Sequence, residues 1–407
     1  MTDNPKRKKI EQRRRGRVVA SHRIAVNAFR VAGFFLLVAI SWAGWVAIRG
    51  GSWWGPTHTF LLGTVSLAIS GAAQMFTITW SAAPAPSALT ATAQRWSIAG
   101  GAMAVLVGVS QDRVALTVVG ALAVIVGILL LGHSLIDAVR HSLLRRFDLS
   151  ARFYLLAIGC AVVGVSLGLL LGTGWVGDSY TRVRVVHGHL NLIGFIGFTI
   201  VGTLPTILPT FAHHHAVSGR EAIWGWRLAV IAAAAILSGV VLGERAVGVG
   251  TLLAATSLLA VLGGVVVRLA ETGPRGGLPY LQVSLGSMWL AVWAVVDGAR
   301  LLVDGPGAAF DRWIAAAVLA GVGQVLLGSL AYLVPVLAGP GPRLARNFES
   351  FERRRWLPLI AANAIPFGLI GGVPAVAATA ATLWVLDFGA RLVRLDRADG
   401  QGLPTVD

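Results

Sequence analysis

The chain has 407 residues, of which 56% are apolar and only 13% charged, and its mean hydropathy is +0.74. A soluble domain carries about twice that charged share, which argues against a water-soluble enzyme. The net charge is +16, and the single cysteine, Cys160, leaves no internal disulfide, no Cys-x-x-Cys metal site and no covalent haem-attachment motif.

The chain opens on a basic block, Lys6, Arg7, Lys8, Lys9, Arg13, Arg14, Arg15, Arg17 and Arg23. Such a block suits a nucleic-acid arm or, beside a membrane span, a cytoplasmic anchor on anionic lipid. The apolar run that follows favours the anchor, and no nucleic-acid partner is expected. That run is too long for a cleavable signal peptide and has no small-residue cleavage site. A bilayer span needs about 20 predominantly apolar residues. The polar breaks predict helices over Ala25–Ile48, Pro56–Trp80, Trp96–Val109 and Val114–Val139, then Arg152–Trp175, Arg184–Phe211, Trp224–Leu242 and Val247–Arg268. A last group covers Leu278–Val303, Asp311–Ala338, Trp356–Val373 and Pro374–Val393. The fold class is therefore all-α, a polytopic membrane protein of about twelve spans, the third and eleventh being the weakest. A basic arm (1–23), a transmembrane domain (24–396) and a short tail (397–407) complete the plan.

Loop charge sets the expected orientation. Arg140, Arg145, Arg146, Arg220, Arg268, Arg275, Arg343, Arg346, Arg353, Arg354, Arg355, Arg391, Arg394 and Arg397 all fall on one side. The positive-inside rule then puts both termini in the cytoplasm of a plasma-membrane protein. Arg182 and Arg184 are exceptions on the outer side.

An internal repeat is visible. His58, Gly63 and Gly71 of the second span recur 131 residues later as His189, Gly194 and Gly202 of the sixth, and Gly132 recurs as Gly263. A fainter third copy aligns Gly202, Leu204 and Pro209 with Gly328, Leu330 and Pro335 at a spacing of 126, with Ala315 in the histidine position. Three four-helix units follow, about 24–150, 151–277 and 278–396, parallel in sense because four is even.

The histidines are the candidate chemistry. His187-Gly188-His189 opens the sixth span and His58 the second, just after Pro56. Ionisable residues within spans face protein or water and are functional candidates, and neutral imidazole ligates haem iron, copper and zinc. Residues at i and i+2 of a helix point about 200° apart, so His187 and His189 do not chelate one ion together. A bis-histidine site draws His58 and one of that pair; the alternative is interfacial residues bonded near the headgroups. Gln74, Asn191, Gln324, Tyr332 and Asn363 could line a polar path or bond helix to helix. Asp297 and Arg300 suit an ion pair, with Asp297 alternatively orienting a ligand histidine. His133 and Asp137 share a face, and His213-His214-His215 reads as a solvated loop. Trp53, Trp54, Trp175 and Trp313 read as belt anchors.

Twelve spans in three arcs, with histidines opening the second and sixth, resemble the catalytic subunit of haem–copper oxidases and nitric oxide reductases. The segment His187-Gly-His-Leu-Asn-Leu-Ile-Gly is similar to the His-x-His-Leu-x-Leu-x-Gly stretch of divergent members, and the layout resembles NnrS-like membrane haem proteins. The resemblance covers about residues 24–396, its specific motif some 25 residues around His189. It implies His58 as a low-spin haem ligand and His187 or His189 as a sixth-helix metal ligand. The seventh and tenth spans hold no histidine, so a complete oxygen-reducing centre is not expected. The resemblance then implies a degenerate relative holding a b-type haem and/or copper on fewer ligands, with Arg182 and Arg184 pairing haem propionates or lipid headgroups. The expected function is electron transfer or handling of a small gas, nitric oxide or oxygen, near the outer leaflet, among membrane lipids and with an external electron-transfer or cupredoxin-type partner. The alternatives are a transporter or channel, or a non-catalytic membrane subunit docking an external copper enzyme.

Overall fold

The computed structural model describes residues 5–142, 147–215, 219–272, 276–305, 312–339 and 342–395, with side chains described from Arg15 onward except Thr272. The charges expected at Arg145, Arg146, Arg275 and Arg397, the basic side chains from Lys6 to Arg14, and the tail lie outside the described residues.

Helices carry the described structure throughout. They are α1 (Pro5–Arg49), α2 (Trp54–Trp80), α3 (Ala88–Ser110), α4 (Val114–Arg140), α5 (Asp148–Gly172), α6 (Gly177–Phe211), α7 (Arg220–Leu242), α8 (Glu244–Thr272) and α9 (Leu278–Val303). They continue as α10 (Arg312–Ala338), α11 (Pro342–Glu352), α12 (Trp356–Ile370) and α13 (Pro374–Val393). Ten of these are long and apolar enough to cross a membrane, which makes this an all-α polytopic membrane protein. The two remaining apolar helices, α3 and α12, are the third and eleventh of the expected spans. The described residues gather into two compact units, one up to Asn191 and one from Leu192 onward.

Local chemistry explains where the helices depart from the reading of the sequence. α1 runs unbroken from Pro5 through the basic stretch into the apolar run, because nothing between them breaks a helix. α3 begins eight residues before Trp96, where the Ser87 hydroxyl accepts from the Thr90 amide at 3.0 Å and caps the first turn. Its early Thr90, Thr92, Gln94 and Arg95 gave that stretch the look of a loop. α12 stops short of Val373 at Gly371-Gly372, where Gly372 takes φ +73°.

The short helix α11 was not expected at all. Leu344, Phe348 and Phe351 recur at i, i+4 and i+7, one apolar face among arginines. Its end is fastened twice: Glu352 Oε1 accepts the Leu278 amide at the start of α9 at 2.7 Å, and Arg391 of α13 donates to the Ser350 and Phe351 carbonyls. Arg391 is itself buried and held by both carboxylate oxygens of Asp387, the fork geometry that suits guanidinium to carboxylate.

Three π-helical turns interrupt the α-helices, Thr59–Val65 in α2, Leu190–Gly197 in α6 and Ala317–Gly323 in α10. In each, the fifth residue is glycine: Gly63, Gly194 and Gly321. The packing around two of them repeats. A methyl on Gly63 would strike the Phe35 ring of α1, and one on Gly71 would lie 2.7 Å from Ala28 of the same helix. In the other unit a methyl on Gly321 would meet Leu290 of α9 at 2.7 Å, and one on Gly328 would meet Gln282 at 2.7 Å and Val283 at 3.2 Å. Phe35 and Leu290 are separated by the same interval as Ala28 and Val283, so the second helix of each copy seats its glycines on equivalent positions of the first. The turns also refine the third copy: the residue before the π turn is His58, His189 and Ala316, one beyond the Ala315 that glycine spacing gave.

Candidate functional site

The first two turns of α2 begin at Trp54, with Pro56 inside the first turn, where its missing N–H costs nothing. His58 follows, and its ring stacks on the Trp54 indole with centroids 4.4 Å apart and planes 25° from parallel. His58 Nδ1–H donates to the Trp54 carbonyl at 2.9 Å. A carbonyl only accepts, so the proton must sit on Nδ1 and the neutral ring presents a lone pair at Nε2.

His187 is oriented in the same manner by a different helix. Its Nδ1–H donates to the Gly164 carbonyl of α5 at 2.7 Å. The ring rests on α5 where two glycines leave room: a methyl on Gly168 would lie 2.6 Å from His187 Cε1 and 2.9 Å from Nδ1. Beside it, a methyl on Gly164 would lie 2.5 Å from the Asn191 amide nitrogen. That amide donates to the His187 carbonyl at 2.8 Å, which holds Asn191 against the notch.

These two anchored rings face each other. The His58 and His187 centroids are 6.3 Å apart and their planes only 10° from parallel. A metal–nitrogen bond of about 2.0–2.1 Å plus the distance from nitrogen to ring centre, counted on both sides of one ion, separates two centroids by roughly 6 Å. Both residues are half-buried and each uses Nδ1 for a backbone carbonyl, the arrangement by which proteins fix the tautomer of a metal-ligating imidazole. The pair therefore has the centroid spacing and the tautomers that two imidazoles on one ion would need.

His189 is placed differently. It is 2% exposed and its Nδ1 donates to the Val185 carbonyl one turn back at 2.8 Å. Repeat arithmetic made His189 the counterpart of His58, but His187 is the residue brought next to it. The offset of two along a helix accounts for this: the two side chains leave on opposite sides. Arg182 and Arg184 are exposed on the turns just before His187.

Most of the other polar candidates are used for packing, whereas Gln324 is buried with no hydrogen-bond partner among the described residues for its side-chain nitrogen or oxygen. Gln74 donates to the Gln94 side chain and to the Ser70 carbonyl. Asn363 accepts from the Trp289 indole at 2.8 Å and donates to the Leu359 carbonyl. Tyr332 packs between Phe211 and Phe348. Asp137 faces His141 at 3.2 Å, Asp297 is buried, and Arg300 lies 3.9 Å from Asp304. Among the described residues no group of three or more His, Cys, Asp or Glu side chains has the placement to hold a metal.

Sequence reasoning missed Gly164, Gly168 and the clamping role of Trp54. Signals were present: Gly164, Gly168 and Gly172 recur at four-residue spacing, the stripe that lets another chain segment approach a helix closely. Trp54 lies four residues before His58, hence on its face. Comparison of the chain with protein-family models and with curated proteins finds no match.

Proposed function

We propose that this membrane protein holds one b-type haem between His58 and His187 and passes electrons through it. The observation that carries the reading is the pair of near-parallel imidazoles 6.3 Å apart, each with Nδ1 tied to a backbone carbonyl. Haem suits a site with only two protein donors, because the macrocycle supplies the four equatorial nitrogens. When bound, it supplies reversible one-electron exchange at a potential that the axial ligands and their surroundings set.

The protein's own part is to hold and orient. Trp54 and Gly164 keep the two rings in the Nδ1-protonated form, leaving Nε2 for iron. Arg182 and Arg184, exposed just ahead of His187, are suited to haem propionates or lipid headgroups. Held by both His58 and His187, such a haem would serve electron transfer rather than gas binding. The basic loops, by the positive-inside rule, put this end of α2 and α6 toward the outside of the plasma membrane, where a soluble electron-transfer or cupredoxin-type partner has access.

A second reading shares the same two nitrogens: a copper(I) ion held linearly by His58 and His187. The lack of a third ligand among the described residues suits that ion's low coordination number, and imidazole is an accepted copper donor. Purification in detergent, reduced-minus-oxidised absorption spectra and iron and copper analysis separate the possibilities. The haem reading expects a Soret band and stoichiometric iron. Copper without a Soret band favours the second reading, and a colourless, metal-free protein that moves a solute overturns both in favour of a transporter.

A further inference from the structure

The notch in α5 takes the ring of His187 at Gly168 and the amide of Asn191 at Gly164. Three facts define it. The Gly164 carbonyl accepts the Nδ1 proton at 2.7 Å. Gly168 has no side chain where a methyl would lie 2.6 Å from Cε1 and 2.9 Å from Nδ1. Asn191, bonded to the His187 carbonyl, fills the space above Gly164. A hydrogen bond alone leaves the ring free to swing about the N–H···O axis; the close approach of Gly168 to Cε1 and Nδ1 limits that swing. The other glycines of α5 do not touch the imidazole. A methyl on Gly172 would meet Thr117 and Val109 at 3.2 and 3.3 Å, and one on Gly159 would meet nothing within 4 Å.

We propose that Gly168, with the Gly164 carbonyl, is a positioning element that fixes the plane of the His187 ring parallel to that of His58 and thereby sets the relative orientation of the two axial ligands. The inference rests on the haem reading above and deepens it. Axial planes matter electronically: near-parallel imidazoles split the iron d orbitals strongly and give a rhombic low-spin ferric EPR spectrum, whereas crossed planes give a single signal at large g. The reduction potential follows the same orientation together with the strength of the Nδ1–H hydrogen bond. A methyl at residue 168 pushes the ring off its seat, turning its plane and lengthening the bond to Gly164.

The test compares Gly168→Ala with Gly159→Ala in the full chain, purified as the wild type is. The readouts are haem content, ferric EPR and a redox titration. The inference expects a rhombic spectrum in the wild type and in Gly159→Ala. It expects Gly168→Ala to keep at least half the haem while its g values move toward the crossed-plane form and its midpoint shifts. Gly168→Ser, slightly larger, is expected to move the spectrum further in the same direction. A Gly168→Ala protein that carries haem with the wild-type spectrum and midpoint overturns the positioning role and leaves the haem reading standing. A wild type whose ferric spectrum already shows crossed planes overturns it as well. A wild type without haem overturns the reading itself, a result visible in the haem content before any variant is compared.

Discussion

The π turns of α2 and α10 are built alike and equipped differently. Each has glycine at its fifth position, and each seats that glycine and a second one farther along on the first helix of its own copy. Yet the turn in α2 is preceded by His58, stacked on Trp54 and facing His187, while the turn in α10 is preceded by Ala316. π turns widen a helix by one residue and are frequent at functional sites, so the α2 turn alone invites a catalytic or ligating explanation. The α10 turn shows that the irregularity belongs to the scaffold. The side chains at the turns differ, while the π turn and its glycine recur in all three copies.

Removing either facing imidazole breaks the comparison most sharply. His58→Ala and His187→Ala are each expected to lower bound haem at least about tenfold, since loss of even an outer-shell partner of a metal ligand costs 10–100-fold. His189→Ala is expected to keep most of it. Quantifying haem per purified chain separates these three, and equal losses in all would remove the distinction between His187 and His189.

Glycine substitution sharpens the comparison next. Gly63→Ala and Gly321→Ala both force a methyl into a neighbouring side chain, and overpacking of this kind costs roughly 1–3 kcal/mol. Thermal or denaturant unfolding in detergent is expected to register a similar loss in each, while only Gly63→Ala alters the absorption spectrum. A spectral change from Gly321→Ala would contradict the assignment of that turn to scaffold alone. The smallest expected effect is Asn191→Ala, which deletes one side-chain hydrogen bond worth about 0.5–1.5 kcal/mol. It is expected to lower stability by that order and to leave haem content unchanged.

The sequence made much of this legible, and the reasons are physical. Apolar runs of bilayer length announce spans because lipid tolerates little else; the weakest two, α3 and α12, were weak for identifiable causes, polar residues in the first turns of one and a glycine stop in the other. His58, His187 and His189 stood out because an imidazole in an apolar span is costly without a partner. The choice of His187 over His189 was not legible. Equal spacing between copies points to His189, and only the approach of α5, through Gly164 and Gly168, brings His187 to His58. Tertiary approach of that kind leaves just a small-residue stripe in the sequence, and such stripes more often mean packing. The amphipathic α11 was hidden by its arginines, although its Leu344, Phe348 and Phe351 spacing was there to be read.

Pulsed EPR on the oxidised protein, prepared with 15N-labelled histidine, counts the imidazoles on the metal. The account predicts two coupled histidine nitrogens in the wild type and in His189→Ala, and one or none after His58→Ala or His187→Ala. A wild-type centre with no coupled histidine nitrogen, or one that loses its coupling with His189 and keeps it without His187, would contradict the assignment.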